Sequence, residues 1–216
     1  MTTKILLADD HGIIRQGLRS LLSKQSDMEV VAEAEDGRKA INLVREFKPD
    51  IVIMDITMPN LNGVEATRQI KIEFAEIKVI ALSIHSNRRF VADMLKVGAS
   101  AYILKDCLFD ELIQAIRIVI GGGTYLSPTI TGVVVDDYIN LTKGVDSQPM
   151  VLNDREREVL QLLAEGKSTK KIAIEVHVSV KTIEANRRHI MEKLNIHSVA
   201  ELTKYAVREG LTSLEL

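Results

Sequence analysis

The sequence has a single cysteine, Cys107. No disulfide can close within the chain, and no cluster of thiolates can hold zinc. No apolar run approaches the roughly 18 residues of a membrane span. The N-terminus reaches Asp9 and Asp10 after a few apolar residues, which is not the pattern of a secretory signal, so no membrane partner and a cytoplasmic location are expected. Net charge is also scarce: 28 Lys+Arg against 30 Asp+Glu leave −2, a total that predicts no partner. Repeats and low-complexity segments are absent. What remains is an ordinary globular composition, 46% hydrophobic and 27% charged, in 216 residues, enough for one large domain or two ordinary ones.

The charge that exists is unevenly placed. Residues 1–149 carry 17 basic and 20 acidic side chains, and residues 150–216 carry 11 and 10. Within 167–193 the count is 7 to 3, a basic segment inside a near-neutral protein. Periodicity divides the chain at a similar place. Short apolar runs at 4–8, 28–34, 51–54, 78–83 and 101–105 read as strands. Helical spacing fills the gaps at about 13–22, 38–47, 64–73, 88–97 and 109–120, with Gly98 and Gly121 suited to helix C-terminal caps. Five strands alternating with five helices predict a parallel sheet covered on both faces. After residue 123 the pattern lapses, and 124–149 reads as a linker with room for one helix. From Val151 onward everything reads as helical. Asn153 with Glu156 and Ser198 with Glu201 are cap signatures, Ser179 caps a third helix, and Gly166 and Gly210 end helices.

The stretch IVIMDITMPNLNG runs four apolar residues into a carboxylate, Asp55. Open parallel sheets bind ligands outside the carboxyl ends of their strands, where strand order reverses. In the flavodoxin-like order 2-1-3-4-5, that point lies between strands 1 and 3. Strand 1 ends on Asp9 and Asp10 and strand 3 on Asp55, so three carboxylates converge there. Such crowding is unfavourable unless a cation screens it, and oxygen ligands with no His or Cys nearby suit Mg²⁺. Strand 4 ends on Ser83 and strand 5 on Lys105. A hydroxyl, an ammonium, a metal and a central carboxylate form a constellation that accepts a phosphoryl group. His85, close by, fits no role and reads as a surface residue, and Cys107 reads as a small packing residue.

Through LLADDH, IVIMDITMPNLNG, ALS and YILKD, residues 1–121 resemble a bacterial response-regulator receiver domain. The resemblance implies a phosphoacceptor at Asp55, with a sensor histidine kinase as partner. It implies Mg²⁺ held by Asp10 and Asp55, with help from Asp9 and the backbone carbonyl of Thr57. Ser83 and Lys105 would engage the phosphoryl group, Pro59 and Gly63 would shape the loop, and Ser83 with Tyr102 would form the switch.

The basic segment has the order of a helix-turn-helix: a helix, a short helix, a turn through His177 and Val178, then a polar-faced helix. A helical wheel puts Ile183, Ile190 and Leu194 on the core side, with Arg187 and Met191 at its margin. Lys181, Ala185, Arg188 and Glu192 lie opposite, flanked by Glu184 and His189. Recognition helices present their N-terminal residues to base edges in the major groove. Lys181, Glu184, Ala185 and Arg188 sit where that requires, with Arg188 suited to guanine, Glu184 to cytosine and Ala185 to a thymine methyl. Lys170, Lys171, Thr182, Arg187 and Lys193 suit phosphates. Over about 60 residues, REREVLQLLAEGKSTKKIA, SVKTIEANRRHIMEKL and AEL resemble the LuxR-type DNA-binding domain of NarL/FixJ regulators. The chain departs from that family at Asn186, where His is frequent, at His177, a turn often held by Gly, and at Val199, where a basic residue is frequent. The resemblance also implies that the last helix, about 199–209, pairs two copies, giving a homodimer on a two-fold related site in double-stranded DNA.

The expected architecture is therefore an α/β flavodoxin-like receiver at 1–123, a linker at 124–149 and a small all-α helix-turn-helix domain at 150–216. The expected function is phosphorylation-controlled transcriptional regulation, without enzymatic turnover as its purpose. Two rivals stand beside it. An aspartyl-phosphate hydrolase would resemble the pocket, but such enzymes carry a second Asp two residues after the nucleophile, where this chain has Thr57. A regulator indifferent to phosphorylation would bind DNA equally well with Asp55→Asn.

Overall fold

The computed structural model describes residues 2–86, 88–106, 109–142 and 152–212. Cys107 and the later part of the expected linker, 143–149, lie outside the described residues. The chain forms two compact units.

The first unit runs β1 (Thr3–Ala8), α1 (Gly12–Leu22), β2 (Met28–Ala34), α2 (Gly37–Phe47), β3 (Ile51–Asp55), α3 (Gly63–Glu73), β4 (Lys78–Ser83), α4 (Arg88–Lys96), β5 (Ala101–Leu104), α5 (Phe109–Ile120), β6 (Tyr125–Leu126) and α6 (Pro128–Thr142). The strands are parallel in the order β2-β1-β3-β4-β5-β6. The central strands are apolar on both faces because helices cover both. All five residues of β3 are buried. On one face Ile5, Leu7, Ile51, Ile53, Ile80, Leu82 and Ile103 pack with Leu22 of α1 and Leu112, Ile116 and Val119 of α5. By strand alternation Leu6, Val52, Met54, Val79 and Tyr102, all buried, face the other side.

Two details differ from expectation. The segment read as linker adds a sixth strand: Tyr125 N–H donates to Ser100 O at 3.2 Å and Ser127 N–H to Tyr102 O at 3.1 Å. Helix α6 follows, with Ile130 fully buried. The cap expected at Gly121 falls one residue later. Gly122 takes the left-handed conformation, φ 86°, and donates to Val119 O, while Gly123 donates to Ile118 O. Three successive glycines leave the last turn of α5 to decide which of them closes it.

The second unit contains α7 (Asp154–Ala164), α8 (Thr169–Glu175), α9 (Val180–Leu194) and α10 (Val199–Arg208). Each starts on a residue whose side chain accepts a backbone N–H: Asn153, Ser168, Ser179 and Ser198. The pair Asn153 and Glu156 forms a full capping box. Each helix is followed by one left-handed residue, at Gly166, His177, Asn195 and Gly210. In each case the next N–H reaches back to the carbonyl five residues before it, as in Val178 to Ala173 and Ile196 to Met191. Val159, Leu160, Ile172, Ile183, Ile190, Leu202 and Ala206 form the core. Each buried Ile or Leu contributes roughly 1.5–3 kcal/mol, so a charge at Ile190 would detach α9 from its support.

Candidate functional site

The parallel register aligns the carboxyl ends of the strands. Ala8 pairs with Met54 and Ser83 with Leu104, so Asp9, Asp55, Ser83 and Lys105 follow at one edge of the sheet. Lys105 Nζ lies 2.7 Å from Asp55 Oδ2 and 2.8 Å from Asp9 Oδ2. All three side chains are almost wholly withdrawn from water. Burial is the largest influence on Asp55 and pushes its carboxyl up; Lys105 pulls it down, Asp9 and Asp10 push it up again, and the pKa stands at about 6. Burial disfavours the Lys105 ammonium, but Asp55 and Asp9 outweigh it and hold the lysine above its ordinary value.

Asp9, Asp10, Asp55 and His11 each offer one ligand atom within 4.8 Å of the others. Three carboxylates against one ammonium leave an excess of two negative charges, which fits one divalent cation with oxygen ligands. Thr57, also expected at the metal, is half-buried, and its N–H approaches Asp55 Oδ1 at 3.4 Å. The presence of His11 corrects the expectation that no histidine stands near these carboxylates. The signal available for it was the histidine directly after the two aspartates.

The loop after Asp55 folds back tightly. Gly63 N–H donates to Ile56 O at 2.8 Å, and a Cβ on Gly63 would lie 1.9 Å from the Asp55 carbonyl oxygen. Only glycine lets α3 begin this close to the end of β3. Asn62 then caps α3 by accepting from Glu65 N–H at 3.0 Å.

Ser83 is fully buried, and its Oγ accepts from His85 N–H at 3.0 Å. Tyr102 is also fully buried and donates its hydroxyl to His85 O at 2.6 Å. Burial raises the Tyr102 phenol above its ordinary value against the hydrogen bond with Ser83. His85, expected at the surface, is half-buried and stacks on Phe90 at 4.4 Å between ring centroids. Its backbone joins the two switch candidates, a role invisible to an argument from side-chain types.

On the second unit, Lys181, Thr182, Glu184, Ala185 and Arg188 are exposed along α9, Arg187 is half-buried, and Lys170 and Lys171 are exposed on α8. Glu184, Arg187, Arg188, Met191, Glu192 and His197 line an open groove. Two phosphate candidates are engaged elsewhere. Thr182 shares a hydroxyl bond with the cap residue Ser179 at 2.8 Å. Lys193 Nζ lies 2.8 Å from Glu156 Oε2, and His189 Nδ1 lies 3.1 Å from Glu156 Oε1. Glu156 thus anchors α9 to α7. Burial pushes its carboxyl up, yet the bonds from Lys193 and the Asn153 N–H hold it below its ordinary value.

Among the described residues no helix is long and apolar enough to cross a membrane. Residues 5–117 match the family model of the response regulator receiver domain, and 150–206 match that of bacterial regulatory proteins of the luxR family. The oxygen regulatory protein NreC of Staphylococcus carnosus is 40% identical over 96% of this chain and 98% of its own length. The transcriptional regulatory protein DegU of Brevibacillus brevis is 35% identical over 96% and 94%. The RcsB response regulator of Salmonella typhimurium, solved in a study of DNA interaction, is 25% identical with a TM-score of 0.65, covering 96% of this chain and 98% of its own. The chain belongs to the response regulators that join a receiver domain to a LuxR-type helix-turn-helix DNA-binding domain.

Proposed function

We propose that residues 1–123 form a phosphoryl-accepting module that controls transcription through residues 150–216, with Asp55 as the acceptor and a sensor histidine kinase as the donor. The observation that carries this reading is the Lys105 ammonium bridging Asp55 and Asp9 at the carboxyl edge of the sheet. One Asp55 oxygen attacks the phosphorus of the kinase's phosphohistidine. The new O–P bond forms as the P–N bond breaks, and the imidazole leaves with the electron pair. Lys105 stays beside the acceptor and balances charge on the phosphoryl oxygens. Asp10, Asp9, Asp55 and the Thr57 carbonyl would hold Mg²⁺, which when bound adds positive charge beside those oxygens.

The switch follows from the hydrogen bonds of Ser83. Its Oγ accepts from His85 N–H in the present state. Turned toward a phosphoryl oxygen, the hydroxyl releases that N–H, and the segment after β4 shifts with the partner of Tyr102. This biases a two-state equilibrium in the receiver. A phosphorylated homodimer would then place two copies of α9 in successive major grooves of double-stranded DNA. Arg188, Glu184, Ala185 and Lys181 would face base edges, with Lys170, Arg187 and Thr182 toward phosphates. The protein would act in the cytoplasm as a regulator and not as an enzyme.

The test is intact-mass measurement after incubation with Mg²⁺ and acetyl phosphate, followed by the same with a phosphorylated kinase. One phosphoryl group added to wild type, and none to Asp55→Asn, is expected, with DNA affinity and dimerisation rising together. Absence of the adduct with both donors would overturn the reading.

A further inference from the structure

Helix α7 begins with a capping box: Asn153 Oδ1 accepts from Glu156 N–H at 2.9 Å, and Glu156 Oε2 accepts from Asn153 N–H at 2.8 Å. Glutamine serves that purpose as glutamate does, because the box needs one acceptor oxygen and no charge. The charge of Glu156 is used by α9 instead. Lys193 Nζ lies 2.8 Å from the same Oε2, and His189 Nδ1 lies 3.1 Å from Oε1. The carboxylate is 4% exposed and Lys193 30%, so salt screens this pair far less than one in open water.

The lysine so held is one of four Lys or Arg side chains on α9, with Lys181, Arg187 and Arg188. On the helical wheel Thr182, His189 and Lys193 fall within about 40° of one another. They form one flank, between the core residues Ile183 and Ile190 and the outward Lys181 and Arg188. A helix about 10–12 Å wide fills a major groove about 12 Å wide, so its flanks run beside the phosphate backbones. An unpaired lysine on that flank binds phosphate, a contact that strengthens every DNA sequence alike. To make it, Lys193 has to leave a nearly dry carboxylate without its cation, which is costly. We propose that Glu156 is a specificity-determining residue: its buried carboxylate withholds Lys193 from DNA phosphates. Sequence-independent binding is thereby held down, while Lys181, Glu184 and Arg188 remain available to bases. This rests on the DNA-binding reading of α9 and not on the phosphoryl acceptor.

The test titrates a fluorescent DNA duplex of random sequence with the full chain at several salt concentrations, with and without prior incubation in Mg²⁺ and acetyl phosphate. Wild type is compared with Glu156→Gln, Lys193→Gln and the double variant. Hydrogen exchange of α7 and α9 peptides checks that the two helices remain docked. A purely structural anchor predicts weaker binding by Glu156→Gln with an unchanged salt slope. Withholding predicts the reverse: Glu156→Gln binds about five- to tenfold tighter per bound subunit at about 0.1 M salt, with log affinity against log salt steeper by about 0.9. The double variant should return to the wild-type slope, and Lys193→Gln should stay within about 0.3 of it. A wild-type slope in Glu156→Gln while α9 keeps its protection overturns the proposal. So does a loss of about 0.9 of slope in Lys193→Gln alone, which would put the lysine on phosphate despite Glu156. Should Glu156→Gln undock α9, the slope of Lys193→Gln decides by itself. Absence of wild-type binding to the duplex in both states would overturn the DNA-binding reading itself and leave phosphoryl uptake, measured separately, standing.

Discussion

Asp55→Asn should stabilise the metal-free protein, although it removes a carboxylate held 2.7 Å from Lys105. The Asp55 pKa stands at about 6 against an ordinary 3.8, chiefly because burial disfavours its charge. A folded-state pKa above the unfolded one means that the native state holds the proton more tightly. The stability this group contributes is full below 3.8 and is lost as pH rises through about 6. Two units at about 1.4 kcal/mol each set the loss near neutral pH at about 3 kcal/mol. The amide of Asn carries no charge and escapes it. Hydrogen exchange of β1 and β3 peptides, measured by mass spectrometry in EDTA, reads the first unit independently of the second. At pH 7 those amides should exchange about a hundredfold more slowly in Asp55→Asn. Near pH 4 the two proteins should agree to within about 1 kcal/mol. Equal protection at pH 7, or a gap that persists on acidification, would refute the reasoning.

Four other outcomes are expected. Gly63→Ala places a methyl 1.9 Å from the Asp55 carbonyl oxygen, where only backbone can yield; a loss of about 3 kcal/mol or more, seen in the same exchange experiment, should accompany loss of phosphoryl uptake. His177→Gly relieves a left-handed φ of 55° and should raise the stability of the second unit by about 1 kcal/mol in thermal unfolding. The depressed Glu156 pKa contributes stability that is present above its unfolded value of 4.5 and lost as pH falls through the lower folded value. Glu156→Gln should flatten that acid dependence and cost about 1–3 kcal/mol at pH 7, read from α7 and α9 exchange. Arg188→Ala should weaken operator binding by about 1–3 kcal/mol and relax preference at one base pair, while Lys170→Ala should weaken all sequences alike and lower the salt slope by about 1 in a titration of affinity against salt.

The parts of the fold legible in the sequence are those written in side-chain pattern. IVIM reads as a doubly covered strand because every residue of β3 needs an apolar neighbour on its own face. The wheel of α9 separates Ile183 and Ile190 from Lys181 and Arg188 because one side alone packs on α7 and α8. What stayed hidden is carried by the backbone or by distant pairs. Strand β6 is two residues long, and the backbone bonds of Tyr125 to Ser100 and of Ser127 to Tyr102 leave no periodic trace. His85 acts through its N–H and carbonyl, which every residue type except proline also has. Lys193 looks free on a wheel, but its partner Glu156 lies 37 residues earlier.

The pocket belongs to both classes, and that explains its chemistry. The apolar run of β3 buries the strand, and the same burial strips water from Asp55 at its end. A carboxylate there is expensive in the resting protein, and a single ammonium does not offset three converging acids. If Asp55 is the acceptor we propose, its acyl phosphate carries the negative charge, raised from one to about two, on outer oxygens that Lys105, the Ser83 hydroxyl and a bound cation would face. The burial of the Asp55 charge predicts that changes which stabilise the unmodified pocket, such as Asp55→Asn, do so by removing the charge on which the proposed switch depends.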